Sequence, residues 1–175
     1  MTLREVTDTA SIIINKRIDA VIASKIVWEC MVNLTALYSS ACKISNTNIS
    51  CTDSSTYYEL PDNCGIIKVM FENKDYKGYE YNELGIRFLD IGEYKIYYYD
   101  ATIPNIEEGT ELSINKRYHM EIAKYLAFSI LQIQDPSSRL ADKLLEEFFI
   151  NTKEIDKSLN KIKKLSSIIP SRIWR

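Results

Sequence analysis

Forty residues from Cys64 to Ile103, CGIIKVMFENKDYKGYEYNELGIRFLDIGEYKIYYYDATI, constrain this chain more than any other stretch. Seven of its twelve tyrosines fall there: Tyr76, Tyr79, Tyr81, Tyr94, Tyr97, Tyr98 and Tyr99. Apolar and aromatic runs at Ile66–Phe71, Ile86–Ile91 and Tyr94–Tyr99 alternate with polar breaks at Asn73–Gly78 and Gly92–Glu93. β-branched and aromatic residues fit a pleated, half-buried surface, and Gly and Asn punctuate it. The pattern predicts an antiparallel β-meander of three or four strands. So few strands do not cover their own faces, so helices are expected on at least one of them.

The flanks read as helix. In the first, Ile14, Ile18, Ile22, Ile26, Cys30, Leu34 and Leu37 recur every three or four residues, with Thr9 or Asp8 placed to cap the start. Between Ala20 and Ala41 only Lys25 and Glu29 are charged, which predicts burial nearly all round. As one helix, Ala10–Ala41 would run about 48 Å, against a radius of gyration of about 16 Å for a compact chain of this size. A break or a projecting helix is expected. The polar segment Ile44–Asn63 is expected to be a mobile loop, with an added edge strand at Thr56–Leu60.

After the connector Pro104–Leu112, Ile114, Tyr118, Ile122, Leu126, Ile130 and Ile133 mark a helix Ser113–Gln134 with Ser113 as cap. A further helix, Pro136–Ile150, buries Leu140, Leu144, Leu145, Phe148 and Phe149. Asn151 and Glu154 have the form of a capping box that would start a last helix, Thr152–Ile169, folded back on the body. The spacing 140, 144, 148, 155, 159, 162, 165, 169 equally suits one continuous helix with a self-association seam. The fold class is therefore α+β: a long or broken N-terminal helix, a central antiparallel meander, and two or three C-terminal helices. One domain, 1–175, is expected, with 152–175 as a projecting basic helical tail.

Charge is uneven although the net charge is only −2. Asp53–Glu111 holds 13 acids and 5 bases, whereas Thr152–Arg175 holds 7 bases and 2 acids. The four cysteines, Cys30, Cys42, Cys51 and Cys64, have no CxxC spacing, and His119 is the only histidine to complete a zinc site. No metal site and no cofactor are expected. Cys51 and Cys64 bracket a polar loop and would bridge only in an exported chain. The start, MTLREVTD, lacks the apolar core of a signal peptide, and no run reaches about 18 uncharged apolar residues. The expectation is a cytoplasmic chain with no membrane span.

No catalytic signature accompanies His119, which reads as a partly exposed helix residue. No Gly-rich phosphate loop exists among the five glycines. Asp90, Glu93 and Lys95 give a loose match to the PD-(D/E)xK pattern of metal-dependent nucleases, which needs two carboxylates on a cation and a lysine near the attacking water. The spacing departs from that pattern, since Asp90 lies three residues before Glu93 instead of far upstream. The tyrosines, with Lys68, Lys77, Arg87 and Lys95, also suggest a stacking platform for single-stranded nucleic acid, against which the acidic excess counts.

The leading expectation is a non-enzymatic protein-interaction module that self-associates, most simply as a homodimer. Composition places it among accessory, immunity or chaperone-like proteins of a virus, mobile element or microbe. Its expected contact residues are Tyr79, Tyr81, Tyr97 and Tyr99 on the sheet, Leu159 and Ile162 on the last helix, and Trp174 as a terminal anchor.

Overall fold

The computed structural model describes residues 1–61 and 64–168, the last seven of these as backbone only. The chain is α+β, with its antiparallel sheet between N-terminal and C-terminal helices. It divides into two units. Met1–Ala41 and the chain from Ile103 onward form a helical unit, and Cys42–Thr102 form a β unit inserted between them in sequence.

In the helical unit, α1 (Leu3–Ile14) starts earlier than expected. Thr2 and Glu5 form a capping box: the Glu5 amide donates to Thr2 Oγ1 (3.3 Å) and the Thr2 amide to Glu5 Oε2 (2.9 Å). Thr9, the anticipated cap, lies inside the helix and its hydroxyl donates to Glu5 O. The expected break falls between α1 and α2 (Ala20–Leu37). Asn15 takes a left-handed conformation (φ 51°), and Asp19 then caps α2 by accepting from the amides of Val21 and Ile22.

The second helix is not buried all round. Ala23, Val27, Cys30, Met31 and Leu34 face the core, whereas Val21, Ile22, Trp28 and Leu37 are exposed. In a helix that is apolar nearly all round, the sequence does not mark which stripe is buried. By length and composition alone α2 is apolar enough to cross a membrane.

A short 3₁₀ turn, Lys116–Tyr118, is capped by Asn115 and leads into α3 (His119–Gln134); Ser113, the anticipated cap, lies before the turn, and no side chain caps α3 itself. Ile122, Ala123, Leu126 and Ala127 of α3 are fully buried among α1, α2 and α4. Ala10, Ala23 and Ala141 on those helices are also fully buried, so their backbones approach closely.

α4 is one continuous helix, Arg139–Ile168, about 45 Å long. The break expected at Asn151 does not occur. Asn151 donates instead to Glu121 Oε2 of α3 (3.1 Å), and the buried Thr152 hydroxyl bonds back to Phe148 O (2.8 Å). The capping residues are thus used across and along the helix. Ile155 and Leu159 still pack on the helical core, and Asp156 accepts from Ser40 Oγ (2.5 Å), which also bonds the Tyr118 hydroxyl (2.7 Å).

The β unit contains β1 (Lys43–Cys51), β2 (Cys64–Phe71), β3 (Lys74–Asp75), β4 (Tyr79–Asn82), β5 (Gly85–Phe88) and β6 (Gly92–Asp100). The main sheet runs β1-β6-β2-β3, and β4-β5 form a separate hairpin. The last strand therefore lies in the middle. Its six-residue run Tyr94–Tyr99 takes the position paired on both sides.

Lys43–Cys51, expected as part of a mobile loop, is an edge strand paired with β6 over nine residues without a bulge. Its inward residues Ser45, Thr47, Ile49 and Cys51 alternate with exposed Ile44, Asn46, Asn48 and Ser50. The alternation is real, but small polar side chains hide it from a hydrophobicity reading. Thr56–Leu60 adds only one bridge, Tyr58 to Ile86. The turn before it is fastened by Asp53, which accepts from Ser55 and Thr56.

One sheet face buries Ile49, Cys51, Val69, Tyr94 and Ile96 against Ile86 and Phe88 of β5. Cover for this face comes from the unit's own hairpin, where helices had been expected. Phe88 and Tyr94 stack with ring centroids 3.8 Å apart and planes at 6°. Gly85 makes the close approach possible. Its φ is +118°, and a Cβ there would lie 2.2 Å from the Tyr58 carbonyl oxygen.

Candidate binding face

Alternation along a strand sends successive side chains to opposite faces. In β6, Tyr94 and Ile96 point into the β core and the buried Tyr98 shares their face, so Glu93, Lys95, Tyr97 and Tyr99 lie on the other face. The register then fixes their neighbours. Tyr99 lies between Ile44 and Gly65, Tyr97 between Asn46 and Lys68, and Lys95 between Asn48 and Met70. The Tyr99 ring lies over Gly65, whose missing side chain leaves it room. Lys95 Nζ stands 5.4 Å from the centre of the Tyr97 ring.

At the end of this face is an open hollow of about 610 Å³. Met70, Phe71, Ile91, Glu93, Lys95 and Tyr97 line it. The β2–β3 turn closes one side through Glu72 and Asn73, both with positive φ, as a tight two-residue hairpin requires. Ile44 and Ile67 are 56% and 41% exposed, so the aromatic centre has an apolar margin within a polar rim.

The structure brings two of the anticipated tyrosines, Tyr97 and Tyr99, onto one face. Tyr79 and Tyr81 belong to the β4–β5 hairpin instead. Tyr79 packs against the β core, and the Tyr81 hydroxyl donates to Cys64 O (3.2 Å). Leu159 is partly buried on its own helical core. The side chain of Ile162 and the whole of Trp174 lie outside the described residues. Ile44, Asn46 and Asn48 were missed because their strand was read as a loop.

Of the nuclease-like set, Glu93 and Lys95 share the open face. Asp90 lies before β6, where its carboxylate accepts from the Tyr76 hydroxyl (2.8 Å). Among the described residues, no group of three His, Cys, Asp or Glu side chains is placed to hold a metal ion. Cys51 has a buried thiol that is not in a disulfide.

His119, expected to be a partly exposed helix residue, is only 3% exposed. Its Nε2 lies 3.2 Å from Ile114 O and its Nδ1 2.8 Å from the Met1 amino group. This fits a neutral ring that donates from Nε2 and accepts at Nδ1. Burial pushes the imidazole below its ordinary value, and the Met1 ammonium adds to that; Lys116 acts in the same sense, while the Ile114 carbonyl and Glu111 oppose it. A lowered histidine pKa means the unfolded chain binds more protons as pH falls below about 6.5. Stability is therefore full above that value and declines as pH falls toward the folded-state value. In urea titrations from about pH 7.5 to about pH 5, His119→Gln should flatten this decline relative to the parent. Parallel curves for the two proteins would show that the ring does not report on folding.

The helical unit carries a smaller apolar groove, about 300 Å³, between α2 and α4. Leu34, Leu37, Tyr38, Tyr125, Phe148 and Phe149 line it, and Leu37 and Phe149 remain exposed.

No protein-family model matches the chain, and no curated protein matches its sequence.

Proposed function

We propose that this chain is a non-catalytic protein-interaction module that binds a partner's extended segment on the open face of the β1-β6-β2 sheet. The observation that carries the reading is the pair Tyr97 and Tyr99 at the centre of the sheet, on the face turned away from the β core. Such rings offer large contact area at low entropic cost, and interface centres are enriched in them. Ile44, Ile67 and Met70 supply apolar neighbours. Asn46, Asn48, Ser50, Glu93 and Lys95 supply the polar rim that such sites have.

Single-stranded nucleic acid suits the same rings less well. Lys68 is already neutralised by Asp75 (2.6 Å), and Glu72 and Glu93 stand around the face. Acids in that position repel phosphate.

Panning a displayed library of extended peptides on the full chain tests the reading. Binders should protect amides of β1, β6 and β2 from hydrogen exchange. The double variant Tyr97→Ala, Tyr99→Ala should keep its circular dichroism and weaken binding by about tenfold or more, the loss that truncating an interface aromatic brings. Binders that protect the helical groove, or that ignore the double substitution, would remove the open face as the site.

A further inference from the structure

The two edges of the main sheet are built differently. The β3 edge is blunted: β3 has two residues, β2 carries a bulge between Ile66 and Lys68, and the Lys68–Asp75 ion pair lies across the ladder. Short edge strands, bulges and charges are how proteins keep a sheet from pairing with another chain. The β1 edge is long and without a bulge, and its one charge lies at its end. It runs nine residues, KISNTNISC, in unbroken register with β6, and contains no proline, no glycine and one charge, Lys43. Its second side has no strand partner among the described residues.

We infer that β1 pairs with β1 of a second copy of this chain, antiparallel and centred on Thr47. The strand's own sequence favours this occupant. In that register Thr47 faces its own counterpart, and Asn46 faces Asn48 of the second copy on the open face. Ile44 faces Ser50, and Ser45 faces Ile49. Thr–Thr pairs are among the stabilising cross-strand neighbours, and like charges meet at no position of this register. The single charge sits at the end of the strand. Antiparallel pairing puts the two lysines about 27 Å apart, at 3.4 Å per residue, whereas parallel pairing would set them about 4.8 Å apart.

A ladder of this length adds roughly eight backbone hydrogen bonds, since antiparallel pairs exchange two bonds at alternate positions. The two-fold axis runs perpendicular to the sheet, because opposed residues keep their side chains on the same face. The two open faces therefore join into one eight-stranded surface, with Tyr97 and Tyr99 of each copy on the same side. The dimer stands on the edge geometry and holds whether or not that face binds a partner.

Light scattering on the full chain, with a concentration series by analytical ultracentrifugation, should give twice the chain mass of 20.3 kDa. Asn46→Glu with Asn48→Glu sets like charges opposite each other at two places and should raise the dissociation constant by about tenfold or more. Asn46→Lys with Asn48→Glu should restore the dimer. Both variants carry the same change at position 48, beside Lys95 in the same chain, so an intrachain effect there is common to the two. A monomeric parent, or a dimer indifferent to the first pair and to its charge reversal, would overturn the inference. Circular dichroism of each variant separates loss of pairing from loss of fold.

Discussion

Phe88→Ala is expected to unfold the β unit while leaving the helical unit protected. Phe88 has no exposed surface and stacks on Tyr94, which is 1% exposed and also packs against Phe71 and Tyr76. Truncating a buried phenylalanine costs about 3–5 kcal/mol in lost burial and residual cavity. A unit spanning Cys42–Thr102 has only roughly 3–9 kcal/mol of stability to lose, at the usual value per residue. Hydrogen exchange read by mass spectrometry should show protection lost in β1, β2, β5 and β6 together. Phe88→Leu, which keeps most of the volume, should retain it. Undiminished protection across these strands in the alanine variant would mean that the stack does not hold the hairpin to the sheet.

Leu126→Ala is the counterpart in the helical unit. Leu126 is fully buried in the middle of α3, the helix on which α1, α2 and α4 all pack. The expected loss is about 2–5 kcal/mol. Ile133, on the same helix but 70% exposed, serves as the control, and its alanine variant should fall within about 0.5 kcal/mol of the parent. Urea unfolding followed at 222 nm measures both. The two buried clusters share no residue, so the exchange protection lost in Leu126→Ala should lie in the helices, in contrast to Phe88→Ala. Equal losses for Leu126→Ala and Ile133→Ala would contradict the placement of α3 at the centre.

What was legible in the sequence follows from local physics. A 3.6-residue apolar period needs no tertiary information, so three of the four helices were expected close to where they lie. The early start of α1 was hidden because Thr2 and Glu5 precede the periodic stretch. The end of α3 at Gln134, before Asp135-Pro136, was legible because proline rules out an uninterrupted helix. The break at Asn151 was a misreading of a true local signal. A capping box forms only if its side chains are at liberty, and α3 claims Asn151 through Glu121.

Long-range pairing is a different matter. Which strand lies beside which depends on contacts tens of residues apart, where local propensity says nothing. Thus β1 was invisible: Asn and Ser on one side and Ser and Thr on the other carry no hydrophobic signal, and only the ladder to β6 gives those residues their direction. The same pairing divides the tyrosines. Composition shows seven of them in one stretch, but the two-residue period of β6 and the separate hairpin decide that Tyr97 and Tyr99 share the open face while Tyr94 and Tyr98 are buried.

By itself, then, the sequence determined the α+β class, the helical flanks and the aromatic strand region, because periodicity and turn chemistry act over a few residues. The tertiary structure alone decided the central place of β6, the edge position of β1, the self-covering of the sheet by β4–β5, and the face on which two tyrosines meet. Each of these is set by pairing between distant strands, whose backbone hydrogen bonds are the same for any sequence.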